Sequence, residues 1–149
     1  MTSKVRFMPE GYHTVTTYLL VRNAGGLIDF LQQVFDAKET ERMQRPDGSI
    51  MHAEVRIGDS VVMIGEATAD NAPMPAMLHV YLEDTDAAHR RALAAGATSL
   101  REPADQFYGD RTGGVQDVFG NQWWMATHVE DVPADEMRRR AEAQARQGG

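Results

Sequence analysis

The chain has 149 residues, with 15 Lys and Arg against 22 Asp and Glu, a net charge of −7, and no cysteine. The acidic balance argues against a broad nucleic-acid surface, and the missing thiols exclude disulfides, thiolate metal sites and a cysteine nucleophile. There is no apolar run of about 18 residues to cross a membrane, and the opening MTSKVRFMPEGYH lacks the apolar core of a secretory signal, so a cytoplasmic protein is expected.

Residues 1–11 form an N-terminal extension. The first repeating element begins at about residue 12. "TTYLLV" alternates as a strand does, and "NAGGLIDFLQQVFDA" places Leu27, Phe30, Leu31 and Val34 on one helical stripe with Asn23 as its cap. Three strands follow, "KETERMQR", "SIMHAEVRI" and "SVVMIGE", separated by turns at Pro46-Asp47-Gly48 and Gly58-Asp59. The linker 67–75, "ATADNAPMP", is small, polar and proline-bearing. The same order then recurs over 76–128. "MLHVYLE" is a strand and "DTDAAHRRALAAG" a helix, capped among Asp84, Thr85 and Asp86 and ended by Gly96. After it come "TSLREP", a loop "ADQFYGDRTGG", "GVQDVF", and "QWWMATH" beyond a turn in which Gly120 and Asn121 are placed to take positive φ. Both segments, 12–66 and 76–128, read βαβββ. The tail 129–149 turns helical after Pro133, with acids first and arginines beyond.

Each helix must bury one face of its sheet. Thr17, Leu19 and Val21, then Leu78, Val80 and Leu82, then Trp123 and Met125 suit the helix side, as do Met51, Ala53, Val55 and Ile57. Neighbouring residues in a strand point oppositely. The other face therefore collects Thr16, Tyr18, Met77, His79, Tyr81, Gln122 and Trp124, with His52, Glu54 and Arg56. Aromatic walls with scattered hydrogen-bonding groups suit a small-molecule pocket; a second core with satisfied polar groups is the plainer alternative. An Arg111–Asp117 ion pair is expected to brace the last hairpin, and Tyr108 and Phe107 either lid a cleft or anchor their loop. His13 and His128 carry no readable pattern.

The ordered set "TVTTYLLV…FLQQVFDA", "IMHAEVRIGDSVVMIGE", "LHVYLEDTDAA", "YGDRTGGVQDVFGNQWWMATH" and "VEDVPADEMRRRA" resembles the vicinal oxygen chelate superfamily, and within it the PhnB-like branch. The resemblance covers about residues 9–142 and implies an α+β fold: two tandem βαβββ modules curving into a cleft, as in glyoxalases and bleomycin resistance proteins, plus a C-terminal helical tail. Where that branch often has Asp-Pro-Phe-Gly, this chain has Asp117-Val118-Phe119-Gly120. The superfamily's enzymes hold a divalent metal between modules. The corresponding positions here match Thr16, Met77 and Trp124, whose hydroxyl, thioether and donor-only indole are poor replacements for imidazole and carboxylate. Glu66 falls near the end of strand four, where some relatives supply a carboxylate.

These readings lead to a protein that binds a small, partly aromatic molecule in an inter-module cleft without a metal or other cofactor. The resemblance also implies a homodimer. The alternative is a lyase or isomerase of the glyoxalase/dioxygenase type. His52, Glu54 and His79 are its candidate catalytic residues, acting either as general acids and bases or as ligands of a divalent metal. A structural or regulatory dimer without a ligand is the third reading.

Overall fold

The computed structural model describes residues 4–148 and divides into two compact units between Pro75 and Ala76. The first contains β1 (Thr17–Val21), α1 (Ala24–Phe35), β2 (Lys38–Gln44), β3 (Ile50–Ile57) and β4 (Ser60–Glu66). Its four strands lie in the order β1-β4-β3-β2, with β1 parallel to β4 and the other neighbours antiparallel. The second contains β5 (Met77–Tyr81), α2 (Thr85–Ala94), β6 (Thr98–Asp105), β7 (Asp110–Gln116) and β8 (Gln122–His128), followed by α3 (Ala134–Gly148). Its sheet order, β5-β8-β7-β6, repeats that of the first, with β5 parallel to β8. Each unit is a βαβββ module, as the sequence pattern predicts.

In the first module, Leu27, Ile28, Phe30, Leu31, Val34 and Phe35 of α1 are buried, as are Leu19, Val21, Ala53, Val55, Val62 and Ile64 of the strands. Burying each large apolar side chain contributes about 1.5–3 kcal/mol. Asn23 caps α1 by accepting from the Gly26 N–H at 3.0 Å. Glu66, at the end of β4, accepts from the Asn23 and Ala24 N–H groups at 2.7 and 2.8 Å. A carboxylate there satisfies two of the donors that a helix start leaves open and opposes the helix dipole. Met51, expected in the core, is 46% exposed, whereas Ile50 is buried. The β2–β3 register shifts between Met43 and Gln44, which breaks the alternation where β3 begins. The segment after β4 is tied to β1 by the Met74 N–H, which donates to Leu20 O at 3.0 Å.

The second module has a smaller apolar core and a polar hub. Trp123 and Met125 are fully buried on the α2 side with Val115. Asp117, buried itself, accepts from the N–H groups of Phe119 and Asn121, each at 2.9 Å, and from Trp123 Nε1 at 2.8 Å. The turn therefore differs from expectation. Gly120 takes a positive φ of 97°, but Asn121 does not, since its amide donates to Asp117 and its Oδ1 accepts from the Ala76 N–H at 3.0 Å. Nor does Arg111 pair with Asp117. Its guanidinium forms a two-point contact with Asp86 at 2.7 and 2.9 Å and reaches Asp105 at 3.2 Å. The indole N–H and the turn amides have claimed the Asp117 carboxylate. The expected loop over residues 104–114 shrinks to a short connection, because β6 runs to Asp105 and β7 starts at Asp110.

Candidate functional site

Strand pairing assembles the helix-free face of the first sheet row by row. Tyr18 lies beside Met63, Met63 beside Glu54, and Glu54 beside Glu41. His52 is two residues from Glu54 and shares its face. Its Nε2 is hydrogen-bonded to Glu54 Oε2 at 2.8 Å and its Nδ1 to the Tyr18 hydroxyl at 3.3 Å; in the tautomer whose Nε2 donates to Glu54, Nδ1 accepts from Tyr18. Gly65 makes room for this arrangement, since a Cβ there would stand 2.7 Å from the Tyr18 hydroxyl. Ligand atoms of Glu41, His52 and Glu54 all lie within 4.8 Å of one another. Sequence reading missed Glu41, because only strand register places it beside Glu54. A cavity of about 360 Å³ opens on the same face, with Thr16, Glu54 and Met63 among its walls and Tyr12, His13 and Phe7 contributed by the chain before β1.

The helix-free face of the second sheet is aromatic. His79, Trp124 and Gly114 share one row. The Trp124 ring lies flat on Gly114, where a Cβ would approach it to 2.6 Å. Its Nε1 donates to Gln122 at 3.1 Å, and the Arg101 guanidinium sits 5.4 Å from the ring centroid. Met77 and Tyr81 are 72% and 62% exposed, and the Tyr81 ring meets His79 edge-on at 5.1 Å. Thr112, on this face beside Ala126, is buried, and its hydroxyl has no hydrogen-bond partner.

One polar chain on this face had no readable signature in the sequence. The Tyr81 hydroxyl donates to Asp110 at 2.8 Å, and His128 bridges Asp110 and Asp131 at 2.7 Å each. Burial alone would raise the Asp110 carboxyl, but hydrogen bonds from His128 and Tyr81 outweigh it and hold the group below its ordinary value. Hydrogen bonds to Asp110 and then Asp131 raise His128, and the bond to Asp110 raises Tyr81. With both nitrogens engaged by carboxylates, His128 braces the end of β8. His89 is buried in α2 with Nε2 3.0 Å from Ser99 Oγ, which makes it part of the core.

Residues 12–125 match the family model for the Glyoxalase/Bleomycin resistance protein/Dioxygenase superfamily. The chain belongs to that superfamily. It is 35% identical over 139 residues to the uncharacterized protein Rv0887c of Mycobacterium tuberculosis, covering 83% of this chain and 79% of that one. The uncharacterized protein Mb0911c of Mycobacterium bovis is likewise 35% identical, with 83% and 89% covered. Among solved structures, TioX from Micromonospora sp. ML1 aligns at 25% identity with a TM-score of 0.65, over 76% of this chain and 97% of that one. The PhnB protein from Bacillus cereus shares the fold at 18% identity and a TM-score of 0.65, over 77% and 99%.

The metal that the superfamily implies does not fit the matching positions of this chain. Threonine, methionine and tryptophan at 16, 77 and 124 offer no imidazole or carboxylate. Glu66, the other acid in a suggestive place, is held by the first turn of α1.

Proposed function

We propose that this superfamily member binds a small, partly aromatic organic molecule on the helix-free side of its first sheet, without a metal at the position the superfamily uses. The observation that carries this reading is the cavity on the first sheet. At about 360 Å³ it falls in the size range of ligand pockets, and its walls combine apolar Met63 and Phe7 with a few polar groups, Thr16 and Glu54 among them. The second sheet adds support. Trp124 offers a ring for stacking, and Tyr81 and His79 form a partly exposed pair. Calorimetric titration with a panel of planar aromatic molecules tests the proposal. One-to-one binding that is lost in Met63→Trp, which fills the cavity, supports it. Stoichiometric Zn²⁺ or Mn²⁺ with a large gain in melting temperature, and no organic ligand, contradicts it.

A second reading, a lyase or isomerase working by general acid–base catalysis, is favoured by one feature: the Glu54–His52–Tyr18 chain beside the cavity. A carboxylate that fixes one ring nitrogen leaves the other to exchange a proton with a hydroxyl. Turnover of a bound ligand that disappears in His52→Asn while binding persists separates this reading from sequestration. Pairing of two chains, a cytoplasmic setting and the absence of a cofactor belong to the same proposal. No helix among the described residues is long and apolar enough to cross a membrane.

A further inference from the structure

Among the described residues, the carboxylates beside the first-sheet cavity have no lysine or arginine counterion. Glu54 is only 7% exposed yet pairs with no lysine or arginine among the described residues. Its Oε2 is engaged by His52, and no hydrogen bond reaches Oε1 among the described contacts. Glu41 brings a second carboxylate to within 4.8 Å, also without an arginine or lysine partner. The nearby cations are turned elsewhere. Arg42 pairs with Glu39, Lys38 pairs with Asp36, and the Arg56 guanidinium lies against Gly11. A buried carboxylate next to a like charge is costly unless something positive joins it.

Resting on the ligand-binding reading above, we propose that the cavity takes a small organic cation. It would be an amine or quaternary ammonium on an apolar body, with its charge against Glu54 in the cavity wall and Glu41 adding a second negative charge behind it. Three features favour an organic cation over a metal ion. The cavity, at about 360 Å³, is far larger than one ion requires and matches a small organic ligand. Beside the polar Thr14, Thr16 and His13, its walls include Met63, Tyr12 and Phe7, apolar or aromatic surfaces that suit the body of such a ligand and the face of its cationic head. The nitrogen of His52 that faces Glu54 is already hydrogen-bonded to that carboxylate, and a metal would have to displace this bond. The net charge of −7 also attracts cations at long range.

Three probes of one shape but different charge test the inference by titration calorimetry: 2-phenylethylamine, 2-phenylethanol and phenylacetate. The amine is expected to bind at least about tenfold tighter than the alcohol, a difference of about 1.4 kcal/mol, and phenylacetate is expected not to bind. Glu54→Gln should remove most of that preference while leaving the affinity for the alcohol. Glu41→Gln changes an exposed residue that the fold does not need, and should weaken the amine by a few fold at unchanged melting temperature. Equal binding of amine and alcohol would overturn the charge inference and leave the ligand-binding reading intact. Failure of all three probes, in a protein that binds a neutral aromatic from the wider panel, would do the same. Stoichiometric Mn²⁺ or Zn²⁺ abolished by His52→Asn and Glu54→Gln would replace the organic cation with a metal.

Discussion

The two modules share a strand order but are stabilised by different means. In the first, a twelve-residue helix buries seven side chains, all apolar, against Leu19, Val55 and Ile64. In the second, the ten-residue α2 buries only Thr85, Ala88, His89 and Ala92, and the Asp117 hydrogen bonds hold the last hairpin together. The helix-free faces have diverged as well. One presents His52 between Tyr18 and Glu54; the other presents Trp124 under Arg101 and a Tyr81–Asp110–His128 chain. The two modules thus keep one topology while both their core chemistry and their surface chemistry differ.

Substitutions can break this contrast on either side. Leu31→Ala, in the apolar core of the first module, should cost about 2–5 kcal/mol in chemical denaturation. Asp117→Ala should cost about 3 kcal/mol in the same experiment, because two backbone N–H groups and the Trp123 indole N–H lose their acceptor inside the protein. If Asp117→Ala were nearly neutral, the second module would not depend on its polar hub. Glu66→Gln keeps the shape of the helix cap but removes its charge, and should cost about 0.5–1 kcal/mol, less at high salt.

The smallest effect expected is on pH dependence. The folded protein raises His128 above its ordinary 6.5, so this group's contribution is complete below that value and fades as pH rises through the raised one. Asp110, lowered from 3.8, contributes fully above that value and loses its effect as pH falls. The chain therefore stabilises the module most between about pH 4 and 6.5. His128→Asn should flatten the fall in melting temperature between about pH 6 and 9. An unchanged pH profile would show that the imidazolium contributes nothing measurable.

Much of the scaffold could be read from residue order. Asn23 announced the first helix, the three cap candidates Asp84, Thr85 and Asp86 announced the second, where Asp84 is the cap, and alternation sent Trp123 inward. What escaped depended on register and on competition for the same acceptor. Glu41 meets Glu54 only through pairing across a bulge, and Asp110 meets His128 only because β7 and β8 lie in register. Opposite charges in one segment suggest a pair between Asp117 and Arg111. Three N–H groups were nearer, and Asp86 offered the guanidinium two oxygens at once. His13 could not be placed in a cavity wall without the path of the chain before β1.

The most direct measurement is NMR of protein labelled with ¹³C-methyl methionine, in which the signal of Met63, a wall of the cavity, is assigned through Met63→Leu. Titration with an aromatic ligand should shift the Met63 methyl saturably and leave that of the buried Met125 in place. If neither signal moves with any organic ligand, and stoichiometric Zn²⁺ or Mn²⁺ shifts Met63 instead, then ligand binding without a metal is the wrong description of this protein.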